Sequence, residues 1–305
     1  MSFKSTAVDA SYWLGWHLVW RLPTRLAYWA FNRAALSAWK REITGVRQLE
    51  LNLARVHGYA DSDPRIRDLS LLAMQSYMRY YCETFLLPRW SREKILRTVR
   101  IENVEPLQTS MKSGGAILAL PHLANWDLAG AWAALYFGSV CSVAERLRPE
   151  GVFQKFLAMR AALGVKIMPL TGQGGTYEFL RDHVNQGELI ALLGDRDVAK
   201  SGMGNQFFGH RAALPIGAAL LAIDTGRPLF TCAAWYEGEN MVITFDNEIE
   251  FDRSPVQGRE RLRRAQEVTA QIVKNFEFHI AAHATNWHQL QPIWPDLIAD
   301  SQMSK

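Results

Sequence analysis

Ser113-Gly-Gly-Ala-Ile-Leu-Ala-Leu-Pro-His122-Leu-Ala-Asn-Trp-Asp127 is the stretch that decides the fold. Its glycines indicate a turn, and the apolar run 116–121 after them indicates a buried strand. Asn125 is a good cap for a helix that begins at Trp126. Chemistry in open α/β sheets collects at the carboxyl ends of strands, so we predict that His122 lies at a functional site and acts as a general base.

Strands and helices alternate on both sides of this stretch. Helices are predicted before it, with breaks near Pro23 and Gly45, and a helix capped by Asp63 is predicted to end at Pro88. The predicted strands besides 116–121 are 99–102, 140–144, 166–169, 189–194, 229–237 and 241–249, and the helices between and after them are 126–137, 153–163, 176–185, 214–225 and 258–283.

This alternation predicts an α/β fold with a mostly parallel central sheet flanked by helices. The segment 195–210 is predicted to be a loop of mostly glycine and polar residues. No linker rich in Pro, Gly or Ser divides the chain, so residues 1–305 are predicted to form a single domain.

The composition is that of a globular protein with a substantial core, since 49% of the 305 residues are hydrophobic and 21% are charged. Cys82, Cys141 and Cys232 lie far apart in the chain and form no CxxC pair. This pattern predicts a reducing compartment and no metal site. The sequence contains neither an HExxH zinc motif nor a GxSxG nucleophile elbow.

The first 60 residues are basic and rich in tryptophan. They hold eight Lys or Arg against three Asp or Glu, and five of the eleven tryptophans. This composition predicts a helical segment, residues 1–40, that lies in the interface of an anionic membrane; a buried amino-terminal helix is the alternative. The apolar run 11–20 is too short to cross a bilayer. Nucleic acid is disfavoured as a partner, because the basic residues are mixed with apolar aromatic ones.

Two carboxylates are candidates to orient His122. Asp127 can meet the imidazole only if the chain turns from strand into helix between the two residues, because a spacing of five on one helix separates side chains by about 140°. Asp195 follows the predicted strand 189–194 and would reach the same sheet edge as His122. The alternatives are a strand-end histidine with satisfied hydrogen bonds for His122, a charge favoured only by the helix dipole for Asp127, and a solvated turn for Asp195.

Four further residues are candidates for binding a substrate. Arg160 near a helix end can bind a phosphate through two hydrogen bonds, with Glu145 as its possible partner; the alternative is a surface arginine. Phe207 and Phe208 are candidates for lining an apolar tunnel, and packing of the loop onto the core is an equally good interpretation.

Taken together, these segments resemble the bacterial lipid A and lysophospholipid acyltransferase superfamily, with the actinobacterial phosphatidylinositol mannoside acyltransferases as the most similar branch. The matching motifs are Gly15-Trp16, Arg21-Leu-Pro23, Asn52-Leu-Ala-Arg55, Ser76-Tyr-Met-Arg79-Tyr with Glu83 and Pro88, His122-x4-Asp127, Glu145-Arg146, Arg160-x3-Gly164, Asp195-Arg-Asp197, Phe207-Phe-Gly209, Pro215-x-Gly217 and His283-x2-Asn286-Trp287.

The resemblance implies transfer of a long acyl chain, palmitoyl above all, from acyl-CoA to a mannose hydroxyl of phosphatidylinositol mannoside. His122 would be the base, Asp127 and Asp195 would orient it, and no acyl-enzyme would form. The substrate-binding residues that it implies are Glu145, Arg160, Arg196, Phe207 and Phe208. It implies no cofactor beyond acyl-CoA as co-substrate, and a peripheral position on the cytoplasmic face of the cell membrane. A lipid A precursor or a lysophospholipid is the alternative acceptor, and acyl-CoA thioesterase or non-catalytic lipid binding are alternative functions.

Overall fold

The computed structural model describes residues 19–43, 45–146, 148–170 and 174–298. The helices are α1 Thr24–Lys40, α2 Val46–His57, α3 Pro64–Leu86, α4 Arg92–Thr98, α5 Glu105–Gly114, α6 Trp126–Phe137, α7 Glu150–Ala162, α8 Thr176–Asn185, α9 Gly217–Thr225 and α10 Gly258–Ala282. The strands are β1 Val99–Glu102, β2 Ala116–Leu120, β3 Val140–Ala144, β4 Val165–Pro169, β5 Leu189–Leu193, β6 Met203–Phe207, β7 His210–Leu214, β8 Leu229–Glu237 and β9 Asn240–Phe245.

A seven-stranded sheet in the order β1-β9-β8-β2-β5-β3-β4 forms the centre of the fold. Strands β8, β2, β5, β3 and β4 are parallel to one another, whereas β9 is antiparallel to β8 and β1 pairs parallel with β9. The predicted mostly parallel α/β fold is therefore confirmed. The β2–β5 register pairs Leu120 with Leu193, so the residues that follow these two strands emerge side by side.

Alternate residues of each strand enter two separate cores, as expected for a sheet covered on both faces. Ile117 of β2 packs with α8, α9 and α10 on one face, and Leu118 packs with α4, α5 and α6 on the other. Helices α1, α3 and α7 enclose a third cluster beside the sheet, which includes Ala27, Phe85 and Phe156. The two main cores meet the solvent at the strand ends, where the site is built.

The segment predicted to be a loop, residues 195–210, is in part a hairpin. Strands β6 and β7 pair antiparallel, and Phe207 and Leu214 on one face of the hairpin are fully buried. The turn between the strands, Phe208-Gly209, has positive φ at both residues, as a type I′ turn requires. Neither strand is rich in β-branched residues and phenylalanine is rare in such a turn, so local propensity does not reveal the hairpin.

The two tryptophans that α1 carries differ in their exposure to solvent. Trp29 is 59% exposed and Leu26 is 44% exposed, while Trp39 is partly buried and donates to the Ser70 hydroxyl. Trp13, Trp16 and His17, which belong to the predicted segment, lie outside the described residues. None of the helices that the structure describes is long and apolar enough to cross a bilayer.

Candidate active site

His122 and Asp195 meet at the carboxyl edge of the sheet, two residues beyond the ends of β2 and β5. The imidazole Nδ1 lies 2.5 Å from Asp195 Oδ1. The other oxygen, Oδ2, accepts the backbone N–H of His122 at 3.0 Å and the indole N–H of Trp287 at 2.8 Å. Both carboxylate oxygens are therefore occupied, and the side chain of Asp195 is fully buried.

These contacts determine the charge of Asp195 and the tautomer of His122. Burial alone would raise the pKa of Asp195, but the charge of His122 and the donated hydrogen bonds bring this pKa below its ordinary value. The carboxyl group is thus ionised at neutral pH and accepts a proton-bearing Nδ1. In the neutral imidazole the lone pair then resides on Nε2, as a general base requires.

Asp127 does not contact His122. Its carboxylate accepts Arg160 Nε at 2.6 Å and Arg160 Nη2 at 3.3 Å, and the Tyr80 hydroxyl donates to Oδ2 at 2.9 Å. The first turn of α6 directs Asp127 toward α3 and α7, which carry these partners. Burial lowers the pKa of Arg160, but its pairing with Asp127 raises it on balance, so the guanidinium stays charged.

The loop that carries His122 is held by the carboxyl-terminal segment of the chain. His288 N–H donates to the carbonyl of His122, and Ala124 N–H donates to the carbonyl of Asn286, each at 2.9 Å. A further bridge joins Leu123 to Trp287. These three contacts form a short strand-like pairing that fixes the backbone on both sides of the imidazole.

Glu83 of α3 holds the next part of this loop. It is 1% exposed and accepts hydrogen bonds from Asn125, Tyr28, Tyr236 and the guanidinium of Arg79. Asn125 in turn caps α6 through the backbone N–H of Leu128. Glu83 is not among the site residues predicted from the sequence. The sequence feature that could have identified it is a charged residue inside the apolar end of α3.

Changing Glu83 to glutamine is expected to lower the free energy of unfolding by about 2–4 kcal/mol, because it leaves Arg79 partly buried without its anionic partner. Arg79 keeps its hydrogen bonds to the carbonyls of Gly238 and Glu239, which limits the loss of stability. Urea unfolding measures the difference. The matched control is Glu102→Gln, which breaks an exposed ion pair and should leave the urea midpoint nearly unchanged. Equal urea midpoints for the wild type and the Glu83 variant would contradict the role of this cluster.

A cavity of about 700 Å³ opens beside His122. Its lining comes from both faces of the sheet edge and is mostly apolar. Between the sheet and helices α6 and α7 it includes Leu120, Gly130, Val140, Phe156 and Ile167; between the sheet and helices α8 and α9 it includes Tyr177, Leu180, Leu192 and Leu220. Two small side chains line this space, Ala191 in the middle of β5 and Ala144 at the end of β3.

The charged residues at the cavity pair differently from the prediction. Glu145 accepts Arg196 Nη2 at 2.7 Å and does not pair with Arg160, whose partner is Asp127. Arg196 is adjacent to Asp195 in the chain, so the β3–β5 neighbourhood in the sheet brings it to Glu145. Arg160, Arg196 and Glu145 all line the cavity.

Phe207 and Phe208 lie in the core, not in the lining of this cavity. Phe207 is fully buried and stacks on Trp294 with ring centroids 5.5 Å apart, and the Trp294 indole donates to its carbonyl. Phe208 packs against the same core. Because β6 and β7 form a hairpin against α10, both rings turn away from the cavity, so the tunnel prediction is replaced by the core-packing alternative.

Three aromatic residues near His122 are not among the site residues predicted from the sequence. Trp126 contacts the His122 ring edge-to-face at 5.1 Å, and Trp287 donates to Asp195. His288 lines the cavity and lies 2.9 Å from the Ser76 hydroxyl through Nε2. Burial, with the charge of His122, lowers the pKa of His288 to about 3, so His288 is neutral. The sequence signal was the run Asn286-Trp-His288, directly after the last helix.

A buried carboxylate that holds a histidine beside an apolar cavity, in an α/β fold, fits an enzyme whose substrate has an apolar part. The chain belongs to the bacterial lipid A biosynthesis acyltransferases, whose family model matches residues 2–295. The phosphatidylinositol mannoside acyltransferase of Mycolicibacterium smegmatis is 33% identical over 299 residues, which are 97% of this chain and 94% of that protein. The enzyme of the same name from Mycobacterium tuberculosis H37Rv is 33% identical over 311 residues, which cover 100% of this chain and 94% of that protein.

Among solved structures, the 1-acyl-sn-glycerophosphate acyltransferase PlsC from Thermotoga maritima matches at 14% identity, with a TM-score of 0.34. The match covers 78% of this chain and 97% of that one. The likeness is too weak to carry an argument about the site. The acyltransferase assignment therefore rests on the family model and on the two mycobacterial relatives.

Proposed function

We propose that this acyltransferase moves a long acyl chain, palmitoyl above all, from acyl-CoA to a mannose hydroxyl of phosphatidylinositol mannoside. The observation that carries the proposal is the buried Asp195 that holds the His122 imidazole at an apolar cavity. The acceptor class is supported by the two mycobacterial relatives named above, each matched over nearly its full length.

In the proposed reaction, Nε2 of His122 removes the proton of the acceptor hydroxyl as its oxygen attacks the thioester carbonyl. The tetrahedral intermediate collapses, the carbon–sulfur bond breaks, and the CoA thiolate takes the proton back from the imidazolium. No acyl-enzyme forms, since the hydroxyl attacks the donor directly. Asp195 stabilises the positive charge that His122 carries between these steps.

The cavity is proposed to hold the acyl chain of the donor. Its volume of about 700 Å³ lies within the ordinary range of small-molecule pockets, and apolar side chains dominate its lining. Arg160 and Arg196 are proposed to bind phosphate groups, either of CoA or of the lipid acceptor. Glu145 and Asp127 would hold these two guanidinium groups in position.

The enzyme is proposed to act as a peripheral protein on the cytoplasmic face of the cell membrane, bound through residues 1–40. Support comes from the exposed face of α1, where Trp29 lies between Arg25 and Arg33. Such a mixture of basic and aromatic side chains suits an anionic lipid surface.

Replacing Trp29 with alanine is expected to weaken binding to vesicles of anionic phospholipid by about tenfold, because a half-inserted indole contributes about 1–2 kcal/mol. Vesicle sedimentation measures the partition coefficient. Leu262→Ala is the control, since Leu262 is 42% exposed on α10 and far along the chain from α1. A point variant is preferable to removing residues 1–40, because α1 also supplies Tyr28 to the Glu83 cluster. Unchanged vesicle binding of the Trp29 variant would show that this face of α1 does not contact the membrane.

The function is tested by release of CoA thiol from palmitoyl-CoA, with and without phosphatidylinositol mannoside, followed by mass spectrometry of the lipid. We expect release that requires the glycolipid, with the acyl chain on mannose. Release driven instead by a lysophospholipid or a lipid A precursor would identify a different acceptor. A lipid A precursor belongs in the screen because the chain belongs to the bacterial lipid A biosynthesis acyltransferases. Release without any acceptor would indicate a thioesterase.

A further inference from the structure

A second cluster of reactive side chains lies at the opposite edge of the sheet from His122. Cys141 is the second residue of β3, His183 lies in the last turn of α8, and Glu188 directly precedes β5. Cys141 Sγ donates to Glu188 Oε2 at 2.8 Å, and His183 Nδ1 lies 3.9 Å from the same oxygen. The three ligand atoms all lie within 4.8 Å of one another.

One atom of this cluster lacks a partner. Within the described part of the chain, His183 Nδ1 is buried and makes no hydrogen bond. Phe179 fixes the ring, since it packs edge-to-face with the imidazole at 4.2 Å. Glu188 Oε2 already accepts hydrogen bonds from Cys141 Sγ and Ser139 Oγ, so His183 Nδ1 is the atom of the cluster that lacks a partner. In the tautomer that leaves Nδ1 unprotonated, a bound cation would occupy its lone pair.

We propose that Cys141, His183 and Glu188 form a binding site for Zn²⁺ or a similar divalent transition metal. Sulfur, imidazole nitrogen and carboxylate oxygen are the three ligand types that zinc prefers. At normal zinc–ligand distances, neighbouring ligands of a tetrahedral site are about 3.3–3.5 Å apart. The Sγ–Oε2 and Nδ1–Oε2 separations, 2.8 and 3.9 Å, lie on either side of this value, and all three ligand atoms lie within 4.8 Å of one another. Small side-chain adjustments are therefore needed to complete the site.

Binding replaces one proton by the metal: the thiol of Cys141 loses its proton to solvent and the sulfur coordinates the ion, with water as the fourth ligand. Burial raises the pKa of the Cys141 thiol, and Glu188 raises it further, so affinity increases with pH. Lys166 competes for the site, because its ammonium lies 2.7 Å from Glu188 Oε1. The Lys166 side chain is 47% exposed and can move into water when the metal binds.

The bound ion would join β3, β5 and α8 at the edge that does not carry His122. The site would therefore be structural, and metal binding to it would raise the thermal unfolding midpoint by mass action. The sequence has no spacing signature for it, because Cys141 lies more than 40 residues before His183 and outside any CxxC or HExxH pattern.

The test uses the full-length protein, reduced and stripped with a chelator. Co²⁺ titration is expected to produce a thiolate-to-cobalt absorption band at one equivalent, and competition with a chromogenic chelator measures the zinc affinity. Cys141→Ser should abolish the band, and His183→Gln should lower the zinc affinity by more than about 10²-fold. Lys166→Met should tighten binding several-fold, since the competing ammonium is gone.

Cys82→Ser is the control, because Cys82 is equally buried but lies in α3. It should leave the band and the affinity unchanged. Circular dichroism checks that each variant is folded, and the histidine variant remains informative if the serine variant is not. The proposal is overturned if no band forms with wild-type protein, or if zinc binds equally well to both ligand variants.

Discussion

Replacing His122 with alanine is expected to lower kcat for acyl transfer by about 10³–10⁴-fold, the upper part of the range for loss of a general base. The size of the effect follows from the proposed role of His122 as the base that Asp195 orients at the cavity. What remains is positioning of the two substrates, which the apolar lining still provides.

The measurement is a single-turnover assay with palmitoyl-CoA and phosphatidylinositol mannoside at saturating concentrations. His210→Ala is the matched control, because His210 is exposed at the start of β7 and should retain wild-type kcat. The His122 variant should remain folded, as the backbone N–H of residue 122 still donates to Asp195. A loss smaller than about tenfold, in a folded variant, would exclude His122 as the base.

Asp195→Asn is expected to lower kcat by about 10³–10⁴-fold, nearly as much as His122→Ala, although it replaces only one oxygen of the carboxylate by an NH₂ group. The geometry determines how the new amide must face. Trp287 N–H and His122 N–H both donate to Oδ2, so the amide oxygen must take that position. The amide nitrogen then points at His122 Nδ1 and donates to it, which forces the imidazole proton onto Nε2. The lone pair that should accept the substrate proton is lost.

Asp195→Glu is the conservative companion, since it keeps the charge and the acceptor oxygens. We expect it to retain far more activity than the asparagine variant, at a cost set by the extra methylene in a fully buried site. Rates are measured together with urea unfolding, so that a loss of activity caused by unfolding is distinguished from one caused by the change of imidazole tautomer. If the asparagine variant were as active as the glutamate variant, the orienting role of Asp195 would be wrong.

The structure separates the two carboxylates that the sequence left as equal candidates. Asp127 interacts with Arg160 and Tyr80, so its contribution to catalysis would be indirect, through the shape of the cavity wall. Asp195 acts on the imidazole itself. The change of tautomer therefore belongs to Asp195.

Local signals in the sequence determined most of the elements of this protein. Apolar runs bounded by glycine or proline predicted the five parallel strands within a residue or two, and the Asn125 cap predicted the start of α6 at Trp126. These signals suffice because strand burial, helix capping and turn formation depend on neighbours a few residues away. The rule that parallel strands end at one edge then placed His122 and Asp195 together.

Only the tertiary structure decided which groups pair. Asp195 and not Asp127 contacts the imidazole, Arg196 and not Arg160 contacts Glu145, and Phe207 faces the core. Glu83 draws its partners from α1, α3, α6 and β8, and the cluster at Cys141 joins three elements. Such pairings depend on strand register and on the direction in which a helix leaves the sheet. Both are set by packing between segments distant in the chain, which no local pattern of residues encodes.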